Sequence, residues 1–466
     1  MTQSDPNGAA SFASLPLPPA MQANLQQLGY LSMTPIQAAS LPLALAGQDL
    51  IAQAKTGSGK TAAFSLPLLL NLNPRRFAVQ ALVLCPTREL AEQVTQEIRR
   101  LARAEDNIKI LTLCGGAPIR NQLASLAHGA HIVVGTPGRI LDHLARETLA
   151  LDALNTLVLD EADRMLDMGF AEDIAQVIEV CPKQRQTLLF SATYPDGVAK
   201  LAGRFMREPK EVKLAERHSA SKIRQRFYEV TEAERLHVVG LLLNHFRPAS
   251  TLAFCNTKQQ CRDLVAVLRA QGIEALELHG DLEQRERDQV LVQFANRSCS
   301  VLVATDVAAR GLDIAQLEAV INVDITPDAE VHVHRIGRTG RADEEGWAFS
   351  LASLDEMGFV GRIEQMQGAA SEWHPVSELN APAGAEPLHP PMVTLQILGG
   401  RKEKIRPGDV LGALTKDMGF EGAQIGKINV NEFSTYVAIE RGVADKALRA
   451  LNAGKVKGKS VKARRL

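Results

Sequence analysis

The sequence has no run of about eighteen apolar residues, so no helix of membrane-spanning length is expected. Its first residues, MTQSDPNGAA, lack the basic stretch and apolar segment of a secretory leader. Cysteine is sparse: Cys85, Cys114, Cys181, Cys255, Cys261 and Cys299 are scattered, with no C-x-x-C pair. That argues against a zinc site and a disulfide framework, and for buried thiols in a reducing cytoplasm. Net charge is also nearly absent, at −1 overall. The small sum hides an asymmetry, because Met392–Leu466 holds 15 Lys and Arg against 7 Asp and Glu, leaving −9 on the remainder. A basic module on an acidic body suits a polyanion-binding appendage or a solubilising tail, and charge alone leaves both open.

What is present is chemistry at fixed spacing. The run AKTGSGKT spans Ala54, Lys55, Thr56, Gly57, Ser58, Gly59, Lys60 and Thr61, between a short apolar strand and an apolar helical stretch. Glycines there let backbone N–H groups turn toward a polyphosphate, Lys60 reaches its terminal groups, and the Thr61 hydroxyl can ligate Mg²⁺. About a hundred residues on, LVLDEAD carries an apolar strand into acids. Asp160 is placed to hold the metal and Glu161 to activate water. Either run alone also occurs as an ordinary turn or capped helix. In this order they imply binding and hydrolysis of a nucleoside triphosphate.

At 466 residues, with 45% hydrophobic and 23% charged, the chain is globular in type and too long for one core. Near-continuous apolar runs at Asp49–Ala54, Val79–Cys85, Ile108–Leu113, His131–Gly135, Thr156–Asp160 and Thr187–Ser191 alternate with helical stretches. Such runs read as a parallel sheet covered on both faces, with ligands beyond its carboxyl ends. Polar Glu208–Ala220 reads as a linker. A second α/β unit has candidate strands at Thr251–Cys255, Glu274–Leu278, Ser300–Ala304, Ala319–Val323 and Ala348–Ala352. Pro375–Pro391 has the composition of a spacer, and the remainder follows a βαββαβ order. The expected division is a disordered lead at 1–11, domains at 12–208 and 221–374 joined by 209–220, a spacer at 375–391 and a basic domain at 392–466.

On these motifs the chain resembles the DEAD-box RNA helicases from about residue 12 to 370. Phe12 and Gly29–Gln37 resemble the family's adenine-reading element, the loop at Ala54–Thr61 and the acids at Asp160–Asp163 its ATP motifs, and Ser191-Ala192-Thr193 its coupling element. Pro86–Leu90, Gly115-Gly116 and Thr136–Arg139 resemble its first-core RNA contacts. Gln284–Arg287, ATDVAARGLD at Ala304–Asp313 and HRIGRTGR at His334–Arg341 complete the set. The resemblance implies an α/β fold: two tandem RecA-like doubly wound parallel-sheet domains plus a small C-terminal RRM-like domain. It implies ATP and Mg²⁺ as cofactors, with Gln37 on the adenine and Asp313 also at the nucleotide. Phe12 and Tyr30 are open between packing on the base and packing in the core. His334 is expected to bridge toward the acids, while Arg338 and Arg341 act as fingers on transition-state charge. Ser191 and Thr193 would couple hydrolysis to unwinding. Pro86, Thr87, Arg88, Gly115, Gly116, Thr136, Gly138, Arg139, Gln284, Arg287, Thr305 and Gly311 would meet RNA phosphate and sugar, without reading sequence.

The tail resembles a degraded RNA-recognition motif. Tyr436 stands where a stacking aromatic would lie, but the first strand has none, so Arg401, Lys402, Lys404 and Arg406 are the alternative contacts. Core, spacer and tail together resemble helicases directed to a hairpin of large-subunit ribosomal RNA in the assembling 50S particle. A monomer in the cytoplasm is expected, with neither DNA nor membrane as partner. An ATP-gated RNA clamp stays open beside the unwinding enzyme.

Overall fold

The structure is a computed structural model describing residues 10–54, 57–105, 107–116, 118–194, 196–213, 223–309, 317–340, 345–380 and 388–466. It divides into two compact units, the second beginning near residue 218. Among the described residues no helix is long and apolar enough to cross a membrane.

The first unit is built on a parallel sheet of β1 (Leu50–Gln53), β2 (Ala81–Leu84), β3 (Ile110–Leu113), β4 (Ile132–Gly135), β5 (Thr156–Asp160), β6 (Gln186–Ser191) and β7 (Lys210–Lys213). Their order is β3-β4-β2-β5-β6-β1-β7. Both faces are apolar. Ala81, Val83 and Cys85 enter one core, while Leu82 and Leu84 enter the other. Strands buried on both sides keep no polar face, so their sequences run apolar rather than alternating. The segment read as a linker contains an element: Lys210–Lys213 is the sheet's edge strand, pairing Leu50 with Lys210 in parallel register. Only Val212 of its four residues is buried. Charge on an exposed edge blocks further pairing, and it also erases the apolar signal.

The second unit has its own parallel sheet: β8 (Ile223–Glu229), β9 (Thr251–Cys255), β10 (Ala275–Leu278), β11 (Val301–Thr305), β12 (Ala319–Asn322), β13 (Gly346–Ala352) and β14 (Trp373–His374). The order is β10-β11-β9-β12-β13-β8-β14. Within its core His332, on the helix Ala329–Ile336, is fully buried and stacked on Phe227 at 6.0 Å. Neither of its ring nitrogens has a hydrogen-bond partner. Burial, with Arg335 adjacent, lowers its pKa from 6.5 to about 4. The unfolded chain therefore takes up a proton between those values that the fold refuses. Stability is full above pH 6.5 and falls as pH drops toward 4, by about 3 kcal/mol from this group. Urea midpoints across that window should fall less steeply in His332→Phe than in the parent; equal slopes would exclude His332 as the source.

The same unit carries the tail domain: an antiparallel sheet of β15 (Met392–Ile397), β16 (Ile425–Val430), β17 (Thr435–Glu440) and β20 (Ala463–Arg465), with the β18–β19 hairpin (Lys455–Val456, Lys459–Ser460) before the last strand. Sheet order is β16-β17-β15-β20. Val393, Leu395, Ile397, Val437 and Ile439 face the tail's own core, which includes Val410 and Leu451 from its two helices. The opposite face is covered as well. Thr394, Gln396, Tyr436 and Ala438 are each at most 4% exposed. Asn296 Nδ2 donates to Thr394 Oγ1 at 3.2 Å, Ser298 shares a hydrogen bond with the same hydroxyl at 2.6 Å, and Asn429 Nδ2 donates to Asn296 Oδ1 at 3.3 Å. At the rim, Arg441 pairs with Glu274 at 2.8 Å. The tail thus lies against the loop between the helix Gln284–Ala295 and β11, rather than only hanging from a spacer.

Candidate nucleotide and RNA site

Apart from Phe12, Tyr30 and Gln37, which precede β1, the site residues of the first unit follow the carboxyl ends of β1 to β6, where a parallel sheet presents loops and helix starts. After β1 the chain passes through Gly57 (φ 79°) and Gly59 (φ 92°), left-handed positions that favour glycine, into the helix Lys60–Leu70. Ala54 N–H donates to the Ser191 carbonyl at 2.9 Å, tying the loop's start to the end of β6. Lys55 and Thr56 lie outside the described residues.

Lys60 and Asp160 are 6% and 3% exposed, and Lys60 Nζ and Asp160 Oδ1 have no hydrogen-bond partner. Burial pushes Asp160 up to about 7, against the pull of Lys60 and with Glu161 adding to the rise. A buried ammonium and a buried carboxylate with unsatisfied atoms suit a polyphosphate with a divalent cation, which would satisfy both. Thr61 is the second residue of that helix, within the first turn, where free N–H groups favour an anion. The residues fit ATP and Mg²⁺.

Glu161 sits at φ 54° and ψ 52°, a left-handed position at the sharp turn from β5 into the helix Ala162–Asp167. Its Oε2 accepts from Arg164 Nη1 at 2.5 Å, and both side chains are largely buried. Arg164 did not stand out in the sequence, although i,i+3 spacing from an acid is the signal for it. Asp163 is committed elsewhere: its Oδ2 accepts from Ala192 N–H at 3.1 Å, Thr193 N–H at 2.8 Å and the Thr193 hydroxyl at 2.9 Å. Ser191 Oγ in turn accepts from Asp163 N–H at 3.2 Å. Burial works against the Asp163 charge, but the Thr193 bonds, Lys60 and Ser191 hold its pKa below the ordinary carboxylate value. Ser191 and Thr193 are therefore wired to the acid run.

Gln37 is nearly buried. Its Nε2 donates to the Gly59 carbonyl at 3.0 Å, and its Oε1 accepts from Thr34 N–H at 2.9 Å as half of a capping box. A Cβ at Gly59 would stand 2.5 Å from that Nε2. Phe12 belongs to the core, and Tyr30 packs edge-on to it at 6.0 Å while donating its hydroxyl to Glu97. This favours the core reading for both rings.

The first-core RNA candidates gather on neighbouring loops. Thr87 caps the helix Arg88–Leu101 through Leu90 N–H at 3.3 Å. The Arg88 guanidinium lies 3.2 Å from where a Cβ on Gly115 would be, and it would overlap one on Gly116. Pro86 follows β2. Thr136 and Gly138 open the helix Pro137–Ala145, where Arg139 Nη1 donates to Gln122 Oε1 at 3.0 Å.

In the second unit Gln284 opens its helix, bonding Asp288 at 2.8 Å, and Arg287 Nη2 donates to the Ala308 carbonyl at 2.6 Å. Thr305 ends β11. His334 is exposed and Arg338 is 7% exposed, in the helix and turn after Ala329. Gly311, Asp313 and Arg341 lie outside the described residues. Arg335, not among the residues expected at the site, holds this region. It makes two bonds to the Asp306 carboxylate at 2.7 and 2.6 Å, donates to the Asp324 carbonyl at 2.8 Å, and lies over Phe254. Its signal was available as an arginine and an aspartate inside the two quoted motifs.

In the tail, Arg401, Lys402, Lys404 and Arg406 are exposed. Tyr436 is not: at 4% exposure on the covered sheet face, its ring offers no open side to a base.

Comparison with known proteins accords with this arrangement. Residues 34–201 match the DEAD/DEAH box helicase family, 233–343 the helicase conserved C-terminal domain, and 394–465 the DbpA RNA binding domain. The chain is 54% identical to the ATP-dependent RNA helicase DbpA of Escherichia coli, over 97% of this chain and 98% of that protein. It is 45% identical to the ATP-dependent RNA helicase CshA of Listeria monocytogenes, over 76% of this chain and 68% of that one. Among solved structures, S. cerevisiae Dbp5 bound to RNA and ADP BeF3 is similar with a TM-score of 0.73 and 32% identity, covering 79% of this chain and 97% of that chain. The chain belongs to the DEAD-box ATP-dependent RNA helicases, and among them to the DbpA type with its own RNA-binding domain.

Proposed function

We infer that this helicase hydrolyses Mg²⁺-ATP in an RNA-stimulated manner to separate short RNA duplexes locally, acting as a monomer in the cytoplasm. Its tail directs it to a hairpin of large-subunit (23S) ribosomal RNA during 50S assembly. The observation that supports the chemistry is the buried, unsatisfied pair of Lys60 Nζ and Asp160 Oδ1 beside Glu161. Lys60 binds phosphate, Thr61 and Asp160 hold Mg²⁺ directly or through water, and Glu161 orients and deprotonates the attacking water. Gln37 reads the adenine by exchanging its Gly59 partner for the base. Arg338, Arg341 and His334 complete the charge around the transferred group. Asp163, bonded to Thr193, carries the change at the phosphates toward the RNA contacts.

Targeting is supported by a separate domain of the DbpA RNA-binding kind carrying 15 basic against 7 acidic residues. Basic charge supplies affinity without sequence, so the choice of RNA has to come from shape or unpaired bases. The test is ATPase rate with large-subunit ribosomal RNA against an unrelated RNA of equal length. Strong preference for the first is expected. Equal stimulation would leave a general RNA remodeller, and hydrolysis without strand displacement would leave an ATP-gated clamp.

A further inference from the structure

The face of the tail sheet that carries Tyr436 is buried, so stacking of bases has to be sought elsewhere on this domain. The described residues hold one exposed tail aromatic beside a cation. Phe433, at the tip of the β16–β17 hairpin, is 58% exposed, and Lys402 Nζ lies 4.2 Å from its ring centre. The hairpin tip is fastened to the loop after β15: Arg401 N–H donates to the Asn431 carbonyl at 2.8 Å, and Lys402 N–H to the Glu432 carbonyl at 3.1 Å. A Cβ at Gly400 would stand within 2.8 Å of the Glu432 carbonyl oxygen, so glycine permits this approach. On the other side, Lys457 Nζ donates to the Lys404 carbonyl at 2.5 Å, bringing the turn of the β18–β19 hairpin alongside.

Lys402 thus lies over one exposed ring, and Arg401, Lys404, Arg406 and Lys457 add positive charge on the segments fastened beside its hairpin. The acids among them are partly spent: Glu432 on Lys402 at 3.2 Å, Asp409 on Lys457 at 3.4 Å, and Glu403 on Gly400 N–H at 2.7 Å. An open aromatic face within a cationic rim is the arrangement that binds unpaired nucleotides, with the rim on phosphates and the ring under a base. A duplex offers that ring no free base. The rim's charge favours RNA over a protein partner, which would more often cover a broader apolar patch.

We propose that Phe433 is a base-stacking site of the tail domain, taking an unpaired nucleotide of an RNA loop while Lys402 and its neighbours hold the flanking phosphates. This rests on RNA being the tail's ligand, and the test separates the two claims. The intact chain, without nucleotide, is titrated with a labelled RNA hairpin carrying an unpaired loop and with a blunt duplex of equal length. Phe433→Ala should weaken hairpin binding roughly 5- to 150-fold, leave duplex binding unchanged, and leave the salt dependence of binding unaltered. Phe433→Trp should restore affinity, whereas Phe433→Leu should not.

Hairpin binding by Phe433→Ala within twofold of the parent overturns the proposal, as does equal rescue by Leu and Trp. A chain with Arg401, Lys404 and Arg406 all replaced by Ala identifies which claim failed. If it loses RNA affinity while Phe433→Ala does not, stacking alone is wrong. If neither variant loses affinity, RNA is not the tail's ligand. Loss of self-association by Phe433→Ala with RNA binding intact would instead assign the ring to a protein contact and overturn the proposal.

Discussion

Glu161→Gln should bind ATP and RNA as the parent does and lose roughly 100- to 10,000-fold in turnover. Gln keeps the size of the side chain and an oxygen that can accept from Arg164, now 2.5 Å from Oε2, so the turn at φ 54° has no reason to open. What it lacks is the capacity to take a proton. The substitution also removes a negative charge beside Asp160, and Glu161 is one of the groups that raises the pKa of that residue. Less repulsion there should leave the fold no weaker and the metal site intact. Single-turnover hydrolysis measured beside equilibrium nucleotide binding checks both halves. Residual turnover within tenfold of the parent would move the proton to another group.

Arg335→Met should destabilise the second unit by about 3–5 kcal/mol, because it leaves the Asp306 carboxylate facing an apolar side chain. The guanidinium is 1% exposed and makes two parallel bonds to Asp306, which is 23% exposed. Its backbone carbonyl also accepts from Arg338 N–H at 3.2 Å, so loss of the pair should disturb the turn carrying Arg338. Arg335→Lys should not rescue, since one ammonium cannot reproduce a planar fork. Adding Asp306→Leu to Arg335→Met should recover part of the loss by removing the stranded charge. Denaturant unfolding reads the stability and ATPase the turn. A change below about 1 kcal/mol would make the pair a surface-like contact.

Much of this molecule was legible because parallel strands buried on both faces leave a long apolar trace. Strands such as β2 and β5 announced themselves, and the named motifs of the first unit other than the Phe12 and Gly29–Gln37 element follow the carboxyl ends of its strands. β7 and β8 did not. Val212 alone is buried in β7, and in β8 the buried residues are Phe227 and Tyr228 behind a polar lead. The bond from Asp163 to Thr193 joins residues 30 apart in sequence, and no local pattern encodes it. The motif around Gln37 was legible, but not the bond from Gln37 to the Gly59 carbonyl, 22 residues on. For Tyr436, the alternation along β17 shows that it points away from the tail's helices. It does not show what lies on that side, where Asn296 and Ser298, far back in the chain, bond Thr394 of the same sheet face.

That cover changes what kind of machine part the tail is. A sheet whose broad face is already occupied behaves less like a hand closing on RNA and more like a bracket bolted to the second core domain. RNA held at its outer edge is then held at a set distance from Gln284, Arg287 and Thr305. On the proposed tail contact, target choice would be partly a measurement: the spacing between gripped loop and displaced strand would have to match the length of the bracket. An RNA with the right loop and the wrong spacing would be carried without being opened.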